Sequence, residues 1–212
     1  MQIYVNGDSN CAGAELKLHE PNFADLLSQH YDARLINHGE SGCSNHRILR
    51  TTKKYLEQNT PDLVIIGWST WEREEWEYQG KLVQINRNTQ FFDQEFSQRI
   101  AQWHQNNTQD KLMKRARNWH SVIYDFHCEL QEQNIPHLFF NCYFDFFTEP
   151  SQQKDWNHCF FEPYHPHGNF YWWLIDQGFV PTKDLHHLAD AHRAWAKNLI
   201  NLIDNHACLR KR

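Results

Sequence analysis

The run DLVIIG, residues 62–67, narrows most what this chain can become. Apolar side chains follow one another without the polar alternation of a half-solvated strand. Such a strand needs cover on both faces, which a parallel sheet enclosed by helices provides. Three further runs share this character: residues 2–6 (QIYVN), 33–37 (ARLIN) and 137–143 (HLFFNCY). Helical spacing fills the intervals. It appears over residues 23–30, over 44–58 with Ser44 or Asn45 as N-cap and Ile48, Leu49, Tyr55 and Leu56 near one face, and over about 188–205 with Ala191, Trp195, Leu199 and Leu202 in step. It also occupies much of 94–133, with a break around 105–108 and a stripe of Trp119, Val122, Ile123, Phe126 and Leu130. Strand and helix in alternation predict an α/β fold, a three-layer αβα sandwich around a central parallel sheet.

The first run ends in VNGDSNCAG, residues 5–13. Asn6-Gly7 is a signal for a two-residue hairpin, because both residues tolerate positive φ. Residues 11–18 do not read as a returning strand, so a strand-to-helix turn that exposes Ser9 is the better expectation. In an open parallel sheet the C-terminal ends of the strands share one edge, and ligands bind there. Ser9, residues 39–44 and residues 67–70 are expected to meet on it.

The 212 residues suit a single domain, 1–212, with aromatic-rich insertions at about 71–92 and 144–180 that either wall the site or cover apolar surface. A net charge of -5 and a pI near 6.3 argue against nucleic acid as a partner, because phosphate binding calls for a surplus of Lys and Arg. The LRKR tail, 209–212, reads as a solvated end. No apolar run nears the ~20 residues that span a bilayer, so no membrane partner is expected. Met1 leads straight into strand-like sequence without secretory features. Six cysteines (Cys11, Cys43, Cys128, Cys142, Cys159, Cys208) lack CxxC spacing and fit reduced, mostly buried thiols in a cytoplasmic protein.

Three motifs carry candidate chemistry besides the Ser9 turn. NHGESGCSN, residues 37–45, sets Gly39 and Gly42 before a helix, where backbone N–H groups suit an anion. GWSTWERE, residues 67–74, places a glycine and hydroxyl side chains on the same edge. DLHHLADAHRAWA, residues 184–196, holds Asp184 and His187 three apart before the last helix.

In this order the motifs resemble the SGNH/GDSL hydrolase family, whose sheet is flavodoxin-like. Gly7-Asp8-Ser9 with Gly13 is similar to its first block, Gly42 falls at its second-block glycine, and Asp184 with His187 matches its D-x-x-H block. The resemblance spans residues 3–195, and GCSNHRILRTT and AHRAWA look like an uncharacterised phage or bacterial branch. The third block, G-x-N, departs from the pattern, since Gly67-Trp68-Ser69 puts serine where an oxyanion-donating asparagine belongs. Losing one such donor typically costs ~3 kcal/mol, or ~100-fold in rate. Thr70 and Asn45 are the substitute donors within reach in sequence.

What the resemblance implies is a serine esterase that cleaves a small acyl ester, such as O-acetyl on a carbohydrate, through an acyl-enzyme and without a cofactor. Ser9 would attack, His187 would take its proton, and Asp184 would orient the imidazole. His186, six residues before His192, is the alternative base. The oxyanion hole would comprise Ser9, Gly42 and Ser69. Asp8, Asn45, Trp68, Thr70 and His186 are candidate substrate contacts, and Trp71, Trp76, Trp172 and Trp173 are either stacking surfaces or core. Two other classes stay open. One is a metal-dependent hydrolase drawing on Asp184, His186, His187, Asp190, His192, His165 and His167, though no HExxH or paired CxxC spacing supports it. The other is a non-catalytic binding or structural protein on the same fold.

Overall fold

The computed structural model describes residues 1–206 and 209. Cys208 and most of the LRKR tail fall outside them. Strands β1 (Gln2–Gly7), β2 (Arg34–Asn37), β3 (Leu63–Trp68) and β6 (His137–Asn141) form one parallel sheet in the order β2-β1-β3-β6. A second sheet is the antiparallel hairpin of β4 (Glu74–Tyr78) and β5 (Lys81–Ile85). The helices are α1 (Ser9–Ala12), α2 (Phe23–His30), α3 (Asn45–Leu56), α4 (Gln94–Gln105), α5 (Gln109–Glu132), α6 (Phe170–Asp176) and α7 (Ala189–Asn205).

Alternate strand residues face two cores. Ile3, Val5, Leu63, Ile65, Leu138 and Phe140 pack with α2, α6 and α7, while Tyr4, Val64, Ile66, Trp68 and Phe139 pack with α3 and α5. Burying both faces is what the unbroken apolar runs require. All four expected strands are present, although β2, at the sheet edge, is only half-buried and exposes Arg34. Ser44 N-caps α3, and the break near residue 106 separates α4 from α5. In α5 the stripe of Trp119, Ile123, Phe126 and Leu130 is buried, whereas Val122 lies off it and is 39% exposed. Among the described residues Cys11, Cys43, Cys128 and Cys142 are free thiols, all but Cys128 buried. No helix among them is long and apolar enough to cross a membrane.

The aromatic-rich insertions divide the two expected roles. Residues 71–92 carry the hairpin, closed by Gln79-Gly80 with both φ angles positive, and it packs Trp76, Tyr78 and Val83 on Phe96 and Ile100 of α4. The same hairpin is tied to α3, Gln84 accepting from Ser44 N and Glu75 pairing with Arg50. Residues 144–180 mainly supply cover: Phe146, Trp156 and Phe160 to one core, Phe161, Phe170 and Leu174 to the other.

Candidate active site

Ser9 is the first residue of α1, directly beyond the C-terminal end of β1. Asp8 caps this short helix, its Oδ1 accepting from the Asn10 N–H at 3.0 Å. Gly7 makes the sharp turn possible. Its φ is 156°, and a Cβ there would lie 2.3 Å from Cys11 Sγ and 2.7 Å from the Gly67 carbonyl oxygen. Gly67, its register partner on β3, would meet the same sulfur at 2.6 Å. Two facing glycines thus let α1 seat Cys11 on both central strands, which fixes Ser9 at the strand end. Ser9 is 3% exposed, and its hydroxyl lies 3.5 Å from that of Tyr143. Among the described residues no tighter partner holds its Oγ.

The second turn is tied to the first and to the hairpin. Gly7 O accepts from Glu40 N at 3.0 Å and from the Cys43 thiol at 3.2 Å. Gln84 accepts from Ser44 N at 2.8 Å, and the Asn86 amide donates to Gly42 O at 3.2 Å. Gly42 has φ of 78° and so needs its glycine.

In the third turn nearly every polar atom is spent on structure. Asn45 clasps the Ser69 backbone, accepting from its N–H at 2.7 Å and donating to its carbonyl at 3.2 Å. The Ser69 hydroxyl donates to Asp8 Oδ2 at 3.3 Å and accepts from Arg73 Nη1 at 2.8 Å. Arg73 Nη1 also reaches Asp8 Oδ2 at 3.3 Å and Cys43 O at 3.5 Å. A serine hydroxyl has one proton, and here Asp8 takes it. Ser69 and Asn45 are therefore structural in this arrangement rather than free donors, and Asp8 is a buried ion-pair partner rather than an open substrate contact. Thr70 Oγ1 is buried without a hydrogen-bond partner. Trp68 is wholly buried against Phe126 and Phe139, so it belongs to the core rather than to a stacking surface. Trp71 likewise stacks on Phe146, while Trp172 remains 37% exposed.

Arg73 and Tyr143 escaped the sequence reading. The one signal for Arg73 was a basic residue flanked by glutamates just behind the third strand, which reads equally well as a solvated loop. Burial opposes the Arg73 charge, but Asp8 and then Tyr143 offset it and leave the guanidinium above its ordinary value. Burial, reinforced by the Asp8 charge, pushes the Tyr143 phenol up and the Cys43 thiol to about 12. Neither group is an anionic nucleophile near neutral pH.

The loop before α7 sends its two histidines to different places. His187 is wholly buried beside the rings of Phe170 and Tyr171, at 5.9 and 5.4 Å between centroids. Among the described residues neither of its ring nitrogens has a hydrogen-bond partner in bonding geometry, and it makes no bond to Asp184. Burial lowers its pKa, and the Tyr171 backbone offsets only part of that. His186 instead places Nδ1 2.9 Å from Glu15 Oε2, and Asp184, which is exposed, has its carboxyl beside that same Glu15. The sequence pairing of Asp184 with His187 is thus not the pairing observed.

The residues suggested for a metal do not gather. His192 accepts from Phe23 N, His165 accepts from His167 N, His167 pairs with Asp176, and Asp190 pairs with Arg193. Among the described residues the group with ligand-like spacing is His127, His137 and Cys159. It lies at the start of β6, the far end from the Ser9 edge. His137 Nδ1 donates to Ile135 O at 2.8 Å, which leaves Nε2 to accept from His127 Nδ1 at 2.7 Å. Two nitrogens on one zinc ion would stand roughly 3.4 Å apart, so this is a hydrogen bond.

No family profile matches the chain, and no curated protein sequence matches it. Solved structures do. TesA superposes with a TM-score of 0.55 at 13% identity over 97% of this chain and 99% of its own. LAE5, an alpha/beta hydrolase enzyme from the metagenome of Lake Arreo, superposes at 0.52 with 12% identity over 99% and 96%. This chain has their fold. A member of the lipolytic G-D-S-L family from Veillonella parvula also aligns, at 0.46 with 11% identity over 96% and 98%. The expected parallel sheet covered by helices on both faces is the fold observed.

Proposed function

We propose that this protein is a serine ester hydrolase that cleaves a small acyl ester through an acyl-enzyme, with O-acetylated carbohydrate as the first substrate class to test. The observation that carries the reading is Ser9: a hydroxyl without a tight partner, set by Gly7 and Asp8 where β1 meets α1. The solved structures support it through the shared fold. In the reaction Ser9 Oγ bonds to the acyl carbon as a histidine of the loop before α7 takes its proton. The tetrahedral oxyanion is met by the backbone N–H groups of Ser9 and Gly42, with the Arg73 charge alongside. Its collapse breaks the bond to the alcohol, which leaves with the proton from the imidazolium. Water then repeats the sequence, freeing the acid and Ser9.

The test is turnover of p-nitrophenyl acetate by the full chain and by Ser9→Ala, together with labelling by a fluorophosphonate. Loss of turnover to background, and label confined to Ser9 in the wild type, are expected. Equal turnover by the two proteins would leave a non-catalytic binding protein on this fold. Label on another residue would refute Ser9 as the nucleophile.

A further inference from the structure

Two adjacent histidines, His186 and His187, compete for the role of base, and their surroundings differ in the respect that matters to catalysis. A base that activates serine must become an imidazolium in the transition state. It therefore needs a carboxylate on one ring nitrogen and a lone pair on the other. Among the described residues His187 has no carboxylate partner and no hydrogen bond in good geometry, only the Tyr171 backbone close by, and it is wholly buried among aromatic rings. Protonating it would create a charge without a countercharge in an apolar site, which burial opposes.

His186 has what His187 lacks. Its Nδ1 lies 2.9 Å from Glu15 Oε2, and a carboxylate can only accept, so Nδ1 carries the proton and Nε2 keeps the lone pair. The geometry is built from both chain segments. The loop folds on itself, with Thr182 N donating to His186 O at 2.8 Å, Leu185 N to Thr182 O at 3.0 Å and His186 N to Thr182 Oγ1 at 3.2 Å. The Thr182 hydroxyl then donates to the same Glu15 oxygen. These two bonds, from Thr182 first and His186 second, hold the Glu15 carboxyl below its ordinary value. Glu15 belongs to the segment that leaves α1: Ala14 N bonds back to Ser9 O at 2.9 Å, and Gly13 turns the chain with φ of 74°. The His186 loop is therefore clamped to the turn that begins at Ser9.

We infer that His186 is the general base for Ser9 and that Glu15, from the segment after the nucleophile, is its positioning residue in place of Asp184. This rests on the esterase reading. His187, one residue on, fills the core, as a phenylalanine would.

The experiment compares His186→Asn, His187→Phe, His187→Gln, Glu15→Gln and Glu15→Asp with wild type and Ser9→Ala, using p-nitrophenyl acetate turnover and the ¹⁵N shifts of the His186 ring. Expected are a loss of ~100-fold or more for His186→Asn and for Glu15→Gln, partial recovery in Glu15→Asp, and at least one folded His187 variant within about threefold of wild type. The ¹⁵N shifts should show His186 protonated at Nδ1 in wild type and in mixed tautomers in Glu15→Gln. Inactive His187 variants beside an active His186→Asn would overturn the assignment. If variants at both positions are inactive, Glu15→Gln decides, and full activity there overturns it. If wild type is no faster than Ser9→Ala, it is the esterase reading that fails. The ring shifts then judge the pair alone, and a His186 tautomer indifferent to Glu15→Gln refutes it.

Discussion

The turns after β1 and β3 stand side by side on one sheet edge and treat their hydroxyl groups in opposite ways. After β1, Asp8 caps the backbone and leaves Ser9 Oγ with only a long contact to Tyr143. After β3, Ser69 is held at its N–H and carbonyl by Asn45 and at its hydroxyl by Asp8 and Arg73. A hydroxyl available for chemistry and one committed to structure are both buried serines near strand ends. What separates them is the set of long-range partners, not the residue.

Breaking the turn after β3 should have the largest effect. In Arg73→Met the wholly buried Asp8 carboxylate loses its countercharge, and the stability to urea is expected to fall by about 3–5 kcal/mol. The double variant with Asp8→Asn should regain much of that. A single-variant cost under about 1 kcal/mol would mean that the pair does not organise this edge.

The first turn is tested by Gly7→Ala. The added methyl collides with Cys11 Sγ and the Gly67 carbonyl, and the residue must keep a positive φ. A loss of about 3 kcal/mol in the same unfolding measurement is expected, partly recovered with Cys11→Ala. An unperturbed Gly7→Ala protein would show that the turn relaxes freely and that the glycine pair does not set Ser9.

The smallest effect is the sharpest discriminator. Ser69→Ala should cost about 1 kcal/mol of stability and change ester turnover less than about threefold, because the hydroxyl proton is already given to Asp8. A loss near 100-fold would make Ser69 an oxyanion donor after all.

Much of the fold was legible because the forces involved are local or nearly so. Continuous apolar runs announce strands covered on both faces, and the spacing of Trp119, Ile123, Phe126 and Leu130 announces a helix packed on one side. The failures came where neighbours far along the chain decide. Val122 looked like part of the α5 stripe, yet it sits at the margin where packing ends. Trp68 suits a substrate contact or the core equally from its place beside the third turn, and only the packing of Phe126 and Phe139 consigns it to the core. Asp184 and His187 have a spacing that fits a charge pair, but a loop closed by Thr182 and by Leu185 at a positive φ of 66° turns the two side chains apart.

The sequence by itself determined the layered parallel sheet, the edge on which the turns gather, and Ser9 as the residue at the end of the first strand. Each follows from period, glycine placement and capping, which act over a few residues. Only the tertiary structure decided the partners: Arg73 for Asp8 across 65 positions, Asn45 for Ser69, and Glu15 for His186 across 171. Hydrogen bonds and ion pairs are short and directional, so they form between whatever the fold brings within about 3 Å, and sequence spacing does not encode that distance.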